Sequence, residues 1–399
     1  MAAPTILAIF WLWARIDDKI TADAVSKYQP VSCSRPGLSS ITSDQVSIIV
    51  PVLYPEPTFK SGLRLWLANN PREVIIVTPN ECLEAVSITI KEANLPNDRV
   101  SKVRLLSTPM ASKRMQMKRA IEAACGAIIV SCDDGTIWPG DTFLENMLPC
   151  FDDPKVGAAA APITVSIPKE RQDDQIVTPW ETAAARASFL RSRGVLSAYA
   201  IARWCWVMAG PTIICRAEIL KDPNFLFAYT NDYWLGRYKL EPDDDTFISR
   251  WIHTHNWEIV IQAKKETRVG RDAKATAALI TQMLRWERSS IRTFLRTLRD
   301  TPGIWRKPWV LRKTIERLVR PILTAIHIVA WIFSFIHNPR FTCMMLLYYI
   351  WEAAPTYAAF LGQYPYMWRH FWAAVIMDYC YVLTDVWAWA TLNNTSWTQ

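Results

Sequence analysis

The chain has 399 residues, of which 51% are hydrophobic, and a formal net charge of +8. This length is enough for a full domain core and for further segments outside it. The charge does not indicate nucleic-acid binding, because no recognition module is visible and the excess of Lys and Arg lies between residues 285 and 320, directly before an apolar tail. A basic stretch beside membrane segments favours contact with anionic lipid on the cytoplasmic side. The nine cysteines occur singly, which argues against a disulfide framework and a zinc site.

Residues 1–40 are interpreted as an N-terminal apolar segment and a linker. The apolar run from Pro4 to Ala14 is shorter than the roughly 20 residues that a membrane-spanning helix needs. It also lacks the basic leader of a signal peptide. We expect an interfacial anchor or a shortened first helix at this position.

Residues 41–286 are predicted to form an α/β domain with a mostly parallel central sheet. Short runs rich in Val and Ile predict buried strands, and one amphipathic segment predicts a helix. The predicted strands are Val46–Val52, Val74–Thr78, Val103–Leu106 and Ala127–Cys132, and the predicted helix is Ser112–Ala124. Continuous apolar strands that alternate with helices are typical of a sheet covered on both faces. Ligands of such sheets bind beyond the carboxyl ends of the strands.

Two adjacent acids, Asp133 and Asp134, follow the fourth predicted strand and precede Gly135. At this edge of the sheet their carboxylates would hold Mg²⁺ or Mn²⁺, because hard divalent cations take one or two carboxylates together with phosphate oxygens. The alternative is a simple Asp-Gly turn, which is common after strands.

Three consecutive acids, Asp243, Asp244 and Asp245, stand at the start of a predicted helix. Capping and the helix dipole explain one or two acids there. A third acid puts like charges side by side, which raises the pKa of one of them. A carboxylate with a raised pKa is suited to accept the proton of an attacking sugar hydroxyl. Asp244 and Asp245 are therefore the candidate catalytic residues.

Gln282, Arg285 and Trp286 are spaced i, i+3 and i+4, so they share one face of a predicted helix. The guanidinium of Arg285 would neutralise a leaving diphosphate, and the indole of Trp286 would stack on an acceptor sugar. The alternative is an ordinary amphipathic helix at a membrane surface.

Four further residues are candidate groups for binding a nucleotide. Lys113 and Arg114 open the basic helix, where positive charge and free N–H groups suit phosphate. A solvated basic face is the alternative for this pair. Tyr54 and Glu56 follow the first strand and would cradle a uracil ring.

After residue 286 the pattern changes to basic amphipathic and then apolar segments. Residues 287–318 predict two amphipathic helices in the membrane interface. Residues 319–399 predict about three spanning helices, at Val319–Ile336, Phe341–Leu361 and Phe371–Leu392. With the basic helices inside, three spans place the end of the chain outside, together with glycosylation sequons at Asn393 and Asn394.

Taken in chain order, the acid pair, the acid triplet, the Gln282–Trp286 motif and the apolar tail resemble the motifs of the inverting, membrane-bound family 2 glycosyltransferases. This family includes hyaluronan, chitin and cellulose synthases. The resemblance is greatest to the fungal type 2 group that is similar to capsule polysaccharide synthases. It covers about residues 45–390. The residues that carry it are Asp133-Asp134 before Ile137-Trp138-Pro139, Cys215–Leu220, Thr230–Leu235, Asp243–Asp245, and Gln282 with Arg285 and Trp286.

This resemblance implies a GT-A fold, a nucleotide-binding α/β sandwich. It implies Asp245 as general base, and Asp133 and Asp134 as groups that serve the nucleotide and a Mg²⁺ or Mn²⁺ ion. It further implies that Gln282, Arg285 and Trp286 bind the diphosphate and line the acceptor entrance. The third position of the family's Asp-x-Asp metal motif is occupied here by Gly135.

The predicted function is transfer of sugar from a UDP-sugar to a growing β-linked polysaccharide that is extruded through the membrane helices. The partners would be the UDP-sugar, a polysaccharide or glycan acceptor, and membrane lipid. The predicted location is the plasma membrane or the secretory pathway, with the catalytic domain in the cytosol. Two alternatives stay open, a non-processive transferase acting on a lipid acceptor and a catalytically silent membrane scaffold of the same fold.

Overall fold

A computed structural model describes residues 2–32 and 41–395 of the chain. Within those residues, seven strands form a central sheet and five more form two small sheets. In chain order the strands are β1 Val46–Pro51, β2 Glu73–Pro79, β3 Val103–Thr108, β4 Ile128–Cys132, β5 Thr136–Ile137, β6 Val156–Ala160, β7 Ile163–Ser166, β8 Thr212–Arg216, β9 Tyr233–Trp234, β10 Tyr238–Lys239, β11 Glu258–Ile261 and β12 Val269–Asp272.

Helices cover both ends of the chain as well as the faces of the central sheet. In chain order they are α1 Ala2–Ser26, α2 Phe59–Ala68, α3 Leu83–Glu92, α4 Asn97–Val100, α5 Lys113–Ala123, α6 Phe143–Met147, α7 Pro179–Ala202, α8 Ala217–Leu220, α9 Pro223–Thr230, α10 Asp244–Thr254, α11 Ala278–Asp300, α12 Pro308–His337, α13 Pro339–Gln363 and α14 Phe371–Ala390.

The central sheet has the strand order β11-β6-β8-β4-β1-β2-β3. Its neighbouring strands are parallel except at β8, which runs antiparallel to β4 and β6. The α/β class with a mostly parallel sheet is therefore confirmed. The four strands and the helix expected from the apolar runs are present as β1–β4 and α5, close to their predicted bounds.

The core lies around β1, β2 and β4, whose residues are buried on both faces. Every residue from Val46 to Val50 is fully buried, and Trp66 of α2 and Ile121 of α5 pack into the same core. Since β1, β2 and β4 are mutually parallel, their carboxyl ends meet at one edge. The residues that follow β1 and β4 therefore lie at that edge.

A three-stranded sheet in the order β5-β12-β7 connects the acid pair to the following helices. β5 begins directly after Gly135, and β12 leads into α11. Arg271 of β12 pairs with Thr136 of β5 in the antiparallel register. This pairing brings the approach to α11 beside the residues that follow β4.

The helices after residue 286 differ from the predicted interfacial helices and spans. α12 is one continuous helix that joins the second predicted amphipathic helix to the first predicted span. Pro321 lies inside it and removes one backbone hydrogen bond without ending the helix. Among the helices of the described residues, α12 is the one that is long and apolar enough to cross a membrane, by length and composition.

The third predicted span, α14, packs against the α/β domain through buried ion pairs. Asp378 accepts bonds from the guanidinium of Arg186 on α7, at 2.7 Å to Nη2. Asp385 pairs with Arg317 at 2.8 Å and also with Arg320, both on α12. These two carboxylates lie on one side of α14, because they are seven residues apart and so two helical turns from each other.

The segment after α14 lies beside α11. The carbonyl oxygens of Leu392 and Asn394 accept hydrogen bonds from Nη1 of Arg292, at 3.0 and 3.2 Å. The prediction that this segment lies across the membrane from the catalytic domain is therefore wrong. The physical reason is that the carboxylates of α14 pair with guanidinium groups of neighbouring helices, which holds α14 against the domain.

The N-terminal apolar run, which was predicted to be an interfacial anchor or a shortened first helix, is the first half of a helix of 25 residues, α1. α1 packs along α12, where Trp13 donates to Glu316 at 2.8 Å and Asp17 pairs with Arg312 and Lys313. Trp13 and Asp17 make these polar contacts with α12, and the residues before Trp13 are mostly apolar. Charged contacts therefore divide the α1–α12 pair into a polar end near the domain and an apolar end beyond it.

Candidate active site

The first feature of the candidate site is a lysine between two acidic motifs. Ser112 caps α5 by accepting a bond from the N–H of Met115, so Lys113 is the first helical residue. Its ammonium group lies 2.9 Å from Oδ1 of Asp133 and 2.9 Å from Oδ2 of Asp244. The predicted acid pair and acid triplet therefore meet at one side chain.

The three acids of the triplet have three different environments. Asp243 is buried and accepts from Nε of Arg292 at 3.0 Å and from the hydroxyl of Ser289. Asp244 is bound by Lys113. Asp245 forms no ion pair within the described residues, and its Oδ1 accepts from the N–H of Thr246 at 2.7 Å. Two members of the triplet are therefore neutralised, and the third is available to a substrate.

Asp245 and Asp133 converge on Gly210, which precedes β8. A β-carbon added at Gly210 would lie 3.4 Å from Oδ2 of Asp245 and 3.6 Å from Oδ2 of Asp133. Both carboxylates are thus within 4 Å of one point, although they come from positions 112 residues apart in the sequence. The absence of a side chain at Gly210 leaves room between them for a small group.

The electrostatics of these acids differ in a way that separates their roles. Burial and the neighbouring Asp244 raise the pKa of Asp245 to about 7. Burial and the adjacent Asp133 likewise raise the pKa of Asp134 to about 7. Burial alone would also raise the pKa of Asp133, yet the charges of Lys113, Arg271 and Arg285 hold it below the usual value. Asp133 is therefore a stable anion, and Asp245 is poised to exchange a proton near neutral pH.

α11 carries the third predicted motif and brings it to the same place. Gln282, Arg285 and Trp286 are all partly exposed on this helix, and the charge of Arg285 acts on Asp133. The same face continues along the helix to Ser289 and Arg292, which hold Asp243. The register of α11 therefore sets the position of Arg285 relative to the acid triplet.

The ring of Trp286 is contacted by two arginines that come from other elements. The guanidinium carbons of Arg191 on α7 and Arg271 on β12 each lie 4.8 Å from the centre of its ring. Guanidinium groups at this distance from an indole form favourable cation–π contacts. The candidate site therefore holds more positive charge than Arg285 alone, and part of the ring surface of Trp286 that was predicted to stack on a sugar is already in contact with these two arginines.

Arg114 is the predicted site residue that the structure directs away from the cleft. Its guanidinium is buried and donates to the carbonyl oxygens of Tyr229 at 2.6 Å and Pro242 at 3.0 Å. It also pairs with Asp232 at 3.1 Å. These contacts hold the loop just before the acid triplet, so Arg114 supports that loop from behind.

Tyr54 and Glu56 lie at the same edge as the acid pair but differ in exposure. The side chain of Tyr54 is 71% exposed. Glu56 pairs with Lys274 at 3.1 Å, across the opening between β1 and the approach to α11. A β-carbon added at Gly135 would lie 3.4 Å from Cγ of Glu56. The side chain of Glu56 therefore occupies the neighbourhood in which the third acid of an Asp-x-Asp motif would extend.

The carboxylates of Asp133 and Asp134 could supply some, but not all, of the ligands of a divalent cation. Within the described residues, no group of three His, Cys, Asp or Glu side chains is already arranged around a metal. However, Asp133 has one oxygen on Lys113 and the other towards Gly210, and Asp134 has a pKa raised by nearby negative charge. A cation held by one or two protein carboxylates and completed by phosphate oxygens matches this arrangement.

Several residues of the site were not identified from the sequence. Gly210, Arg191 and Arg271 have no motif around them, and each reaches the cleft only through tertiary packing. Ser289 and Arg292 carried a usable signal, because they continue the helical face of Gln282 and Arg285 at i+4 and i+7 from Arg285.

The chain matches the model of the family described as "Glycosyltransferase like family 2" over residues 44–289. It is 32% identical over 406 residues to the NDP-glycosyltransferase ltbB of Aspergillus luteorubrus, covering 100% of this chain and 97% of that protein. It is 24% identical over 410 residues to a type 2 glycosyltransferase of Pyricularia oryzae, covering 99% of this chain and 82% of that protein.

Among solved structures, the chain is similar to the mannosyltransferase PcManGT from Pyrobaculum calidifontis, determined in complex with GDP-Man and Mn²⁺. The TM-score is 0.59 at 16% sequence identity, covering 97% of this chain and 98% of that chain. At this identity the similarity concerns the fold alone. Since the family model covers more than half of the sequence and a relative matches its full length, the chain belongs to glycosyltransferase family 2 and has the GT-A fold.

Proposed function

We propose that the chain transfers a sugar from a UDP-sugar to a hydroxyl acceptor, with inversion at the anomeric carbon, at the cytosolic surface of a membrane. The observation that carries the proposal is the convergence of Asp133 and Asp245 on Gly210, next to the charge of Arg285. One carboxylate with a stable charge and one with a pKa near 7 are the pair that nucleotide binding and proton transfer require.

Asp245 acts as the general base in this proposal. It takes the proton of the acceptor hydroxyl as that oxygen attacks the anomeric carbon, and the bond from this carbon to the diphosphate breaks on the opposite side. A base whose pKa lies near the working pH combines a sufficient ionised fraction with sufficient proton affinity. Lys113 neutralises Asp244, which keeps the triplet from accumulating more negative charge beside the base.

The leaving diphosphate is stabilised by fixed positive charge. The charges of Arg271 and Arg285 both lower the pKa of Asp133, so a diphosphate bound beside Asp133 would also meet these two positive charges. Prearranged cations that meet developing charge are a leading catalytic contribution in such reactions. A bound Mg²⁺ or Mn²⁺ would add Lewis-acid stabilisation of the phosphate oxygens, and Asp133 and Asp134 are the residues that would hold it.

Glu56 supplies the carboxylate that Gly135 lacks, in this proposal. The support is the 3.4 Å approach of the Glu56 side chain to the position of a β-carbon at residue 135. We expect Glu56→Ala to weaken Mn²⁺ binding in the presence of UDP, measured by electron paramagnetic resonance of free Mn²⁺. Adding Gly135→Asp to that variant should restore binding, because the new carboxylate enters the space that the glutamate left. Unchanged Mn²⁺ affinity in Glu56→Ala would exclude the role.

Contact with a membrane is supported by the exposed apolar surface of α12 and α13. Large apolar side chains that are more than half exposed occur along both helices, among them Ile322, Ile332, Phe335, Leu347 and Trp351. Such contiguous exposure marks an interaction site with lipid or protein. Asp17, Arg312 and Lys313 form charged contacts at the domain end of this surface, which suits the boundary between headgroups and water.

We propose non-processive transfer to an acceptor at the membrane, with extrusion of a polysaccharide as the alternative. Among the described helices, α12 has the length and composition of a membrane span. α14 is held against α7 by the pair of Asp378 with Arg186. A product-length assay separates the two: extension by one sugar supports the non-processive function, and long polymer supports the synthase.

The decisive experiment is incubation of the purified protein with a panel of UDP-sugars and Mg²⁺ or Mn²⁺. Release of UDP that depends on one sugar, and that increases when a membrane extract is added as acceptor, supports the proposal. Neither hydrolysis nor transfer with any donor would favour a catalytically silent scaffold. The Asp245→Asn protein is the matched control, because it keeps the shape of the side chain and lacks the proposed base.

A further inference from the structure

The segment that follows α14 contacts the catalytic domain near the acid triplet. The carbonyl oxygens of Leu392 and Asn394 accept from Nη1 of Arg292 at 3.0 and 3.2 Å. A turn orients the two carbonyls, since the N–H of Asn394 donates to the carbonyl of Thr391 at 3.0 Å. This contact therefore depends on the shape of the segment's backbone and not on its side chains.

The opposite side of the same guanidinium holds the first acid of the triplet. Nε of Arg292 lies 3.0 Å from Oδ2 of Asp243, and Nη2 lies 2.9 Å from the same oxygen. The side chains of Arg292 and Asp243 are 2% and 3% exposed. A buried guanidinium is costly when its donors lack partners, and here the segment after α14 supplies the acceptors for Nη1, which Asp243 does not reach.

The conformation of Asp243 makes this support consequential. Asp243 has φ 71° and ψ 26°, the left-handed region, and is the residue directly before α10. A residue other than glycine adopts this conformation only when its surroundings determine it. Asp245 lies two residues after Asp243, in the first turn of α10. A rotation of the backbone at Asp243 would therefore move the carboxylate of Asp245, which lies near Gly210.

We propose that residues Thr391–Asn394 belong to the catalytic apparatus, because through Arg292 they fix Asp243 and thereby the position of Asp245. Arg292 and the segment are positioning elements that do not touch the substrate. Two further contacts support a built interface: Arg288 donates to the hydroxyl of Thr391 at 2.9 Å, and Leu392 packs against the cluster of Leu284 and Ile291 on α11. The catalytic consequence rests on the proposed function, whereas the structural coupling does not.

Asn394→Pro tests the coupling, because proline lacks the N–H that closes the turn and pushes residue 393 towards an extended conformation. Asn393→Ala is the matched control, since it alters the same segment and a sequon without removing that N–H. Hydrogen exchange of peptides that cover residues 240–250 is the readout that needs no substrate. We expect faster exchange there in Asn394→Pro only, with unchanged exchange in peptides that cover β1 and β4.

The kinetic test uses the UDP-sugar that supports turnover in the wild-type protein. We expect kcat to fall by roughly 10- to 100-fold in Asn394→Pro, because small misplacement of a catalytic group has effects of this size. KM for the donor and the affinity for UDP with Mn²⁺, measured by calorimetry, should stay unchanged. A general loss of folding would lower UDP binding as well, so the two explanations separate.

A double-mutant cycle identifies Arg292 as the intermediary. If the segment acts through this guanidinium, Asn394→Pro should add little to the effect of Arg292→Lys. Fully additive effects on kcat, or unchanged exchange of residues 240–250 in Asn394→Pro, would overturn the proposal. If the wild-type protein transfers no sugar, the proposed function fails, while the exchange experiment still decides whether the segment controls the triplet.

Discussion

Asp133 and Asp245 lie on different elements, yet one methyl group at Gly210 would contact both carboxylates. Asp133 follows β4, whereas Asp245 lies in the first turn of α10. The loop before β8 brings the glycine between them. This relationship brings two acids with different pKa behaviour to one glycine, the pKa of Asp133 being lowered and that of Asp245 raised.

Gly210→Ala tests the space between the two carboxylates. The added methyl would lie 3.4 Å from Asp245 and 3.6 Å from Asp133, distances that the fold tolerates but that exclude a water or a metal from the gap. We expect near-normal thermal stability and a loss of transfer on the order of 10-fold or more, since misplacement of reacting groups has effects of this size. Wild-type turnover with the active UDP-sugar would show that the reaction occurs elsewhere.

Asp245→Asn removes the proposed base while it keeps the shape of the side chain. The variant should fold and bind UDP like the wild type, and transfer should fall by about 10²–10⁴-fold, the range attributed to a general base. Circular dichroism, UDP calorimetry and turnover measure these three properties. Retention of more than half of the wild-type kcat would make the assignment untenable.

The pH dependence of transfer should follow Asp245. Its pKa is raised to about 7 by burial and by Asp244, so kcat/KM should rise with pH up to about 7 and then level off as the base becomes ionised.

The contribution of Asp245 to the free energy of unfolding should instead decrease as the pH rises. Between the ordinary value of 3.8 and about 7, the folded state binds more protons at this residue, so its contribution to stability decreases as pH rises. Asp245→Asn should remove the trend in kcat/KM and reduce the trend in stability, to which Asp134, with a pKa also raised to about 7, still contributes. An unchanged pH profile of kcat/KM in an active variant would contradict the assignment.

Arg285→Ala should weaken handling of the diphosphate. The charge of Arg285 acts on Asp133, and hydrogen bonds between charged groups contribute about 1.5–3 kcal/mol, so we expect UDP affinity to fall roughly 10- to 100-fold. Arg299→Ala is the matched control on the same helix, because its side chain is 74% exposed and pairs with Asp300. Calorimetry with UDP and Mn²⁺ gives both affinities. Equal affinities for the two variants would remove Arg285 from the diphosphate site.

Asp378→Asn should release α14 from the domain. It leaves the guanidinium of Arg186, whose side chain is 3% exposed, without its counter-ion, which costs about 3–5 kcal/mol at buried positions. The melting temperature in detergent should fall clearly. The double change Arg186→Met and Asp378→Leu should recover most of the loss, because it removes both charges. Unchanged melting of the single variant would show that the pair of Asp378 with Arg186 does not hold α14 in place.

The sequence alone was sufficient to predict the strands and helices whose formation depends on a local pattern of residues. The Val and Ile runs predicted β1–β4, and the helical spacing of Gln282, Arg285 and Trp286 predicted their shared face on α11. The order of the acidic and basic motifs along the chain was sufficient to identify the glycosyltransferase family. These features depend on neighbours within about ten residues, so periodicity and propensity report them directly.

Tertiary structure decided how the acids are used and where the last helix lies. The resemblance implied Asp245 as the base, but local pattern does not distinguish three consecutive aspartates. Packing pairs Asp243 with Arg292 and Asp244 with Lys113, and it places Asp245 beside Gly210. Asp378 and Asp385 lie in an apolar helix that length alone describes as a span, yet their partners on α7 and α12 direct it against the domain. A charge is neutralised by whichever opposite charge the fold brings within a few ångströms of it. These partners are distant in the sequence, so no local pattern specifies them.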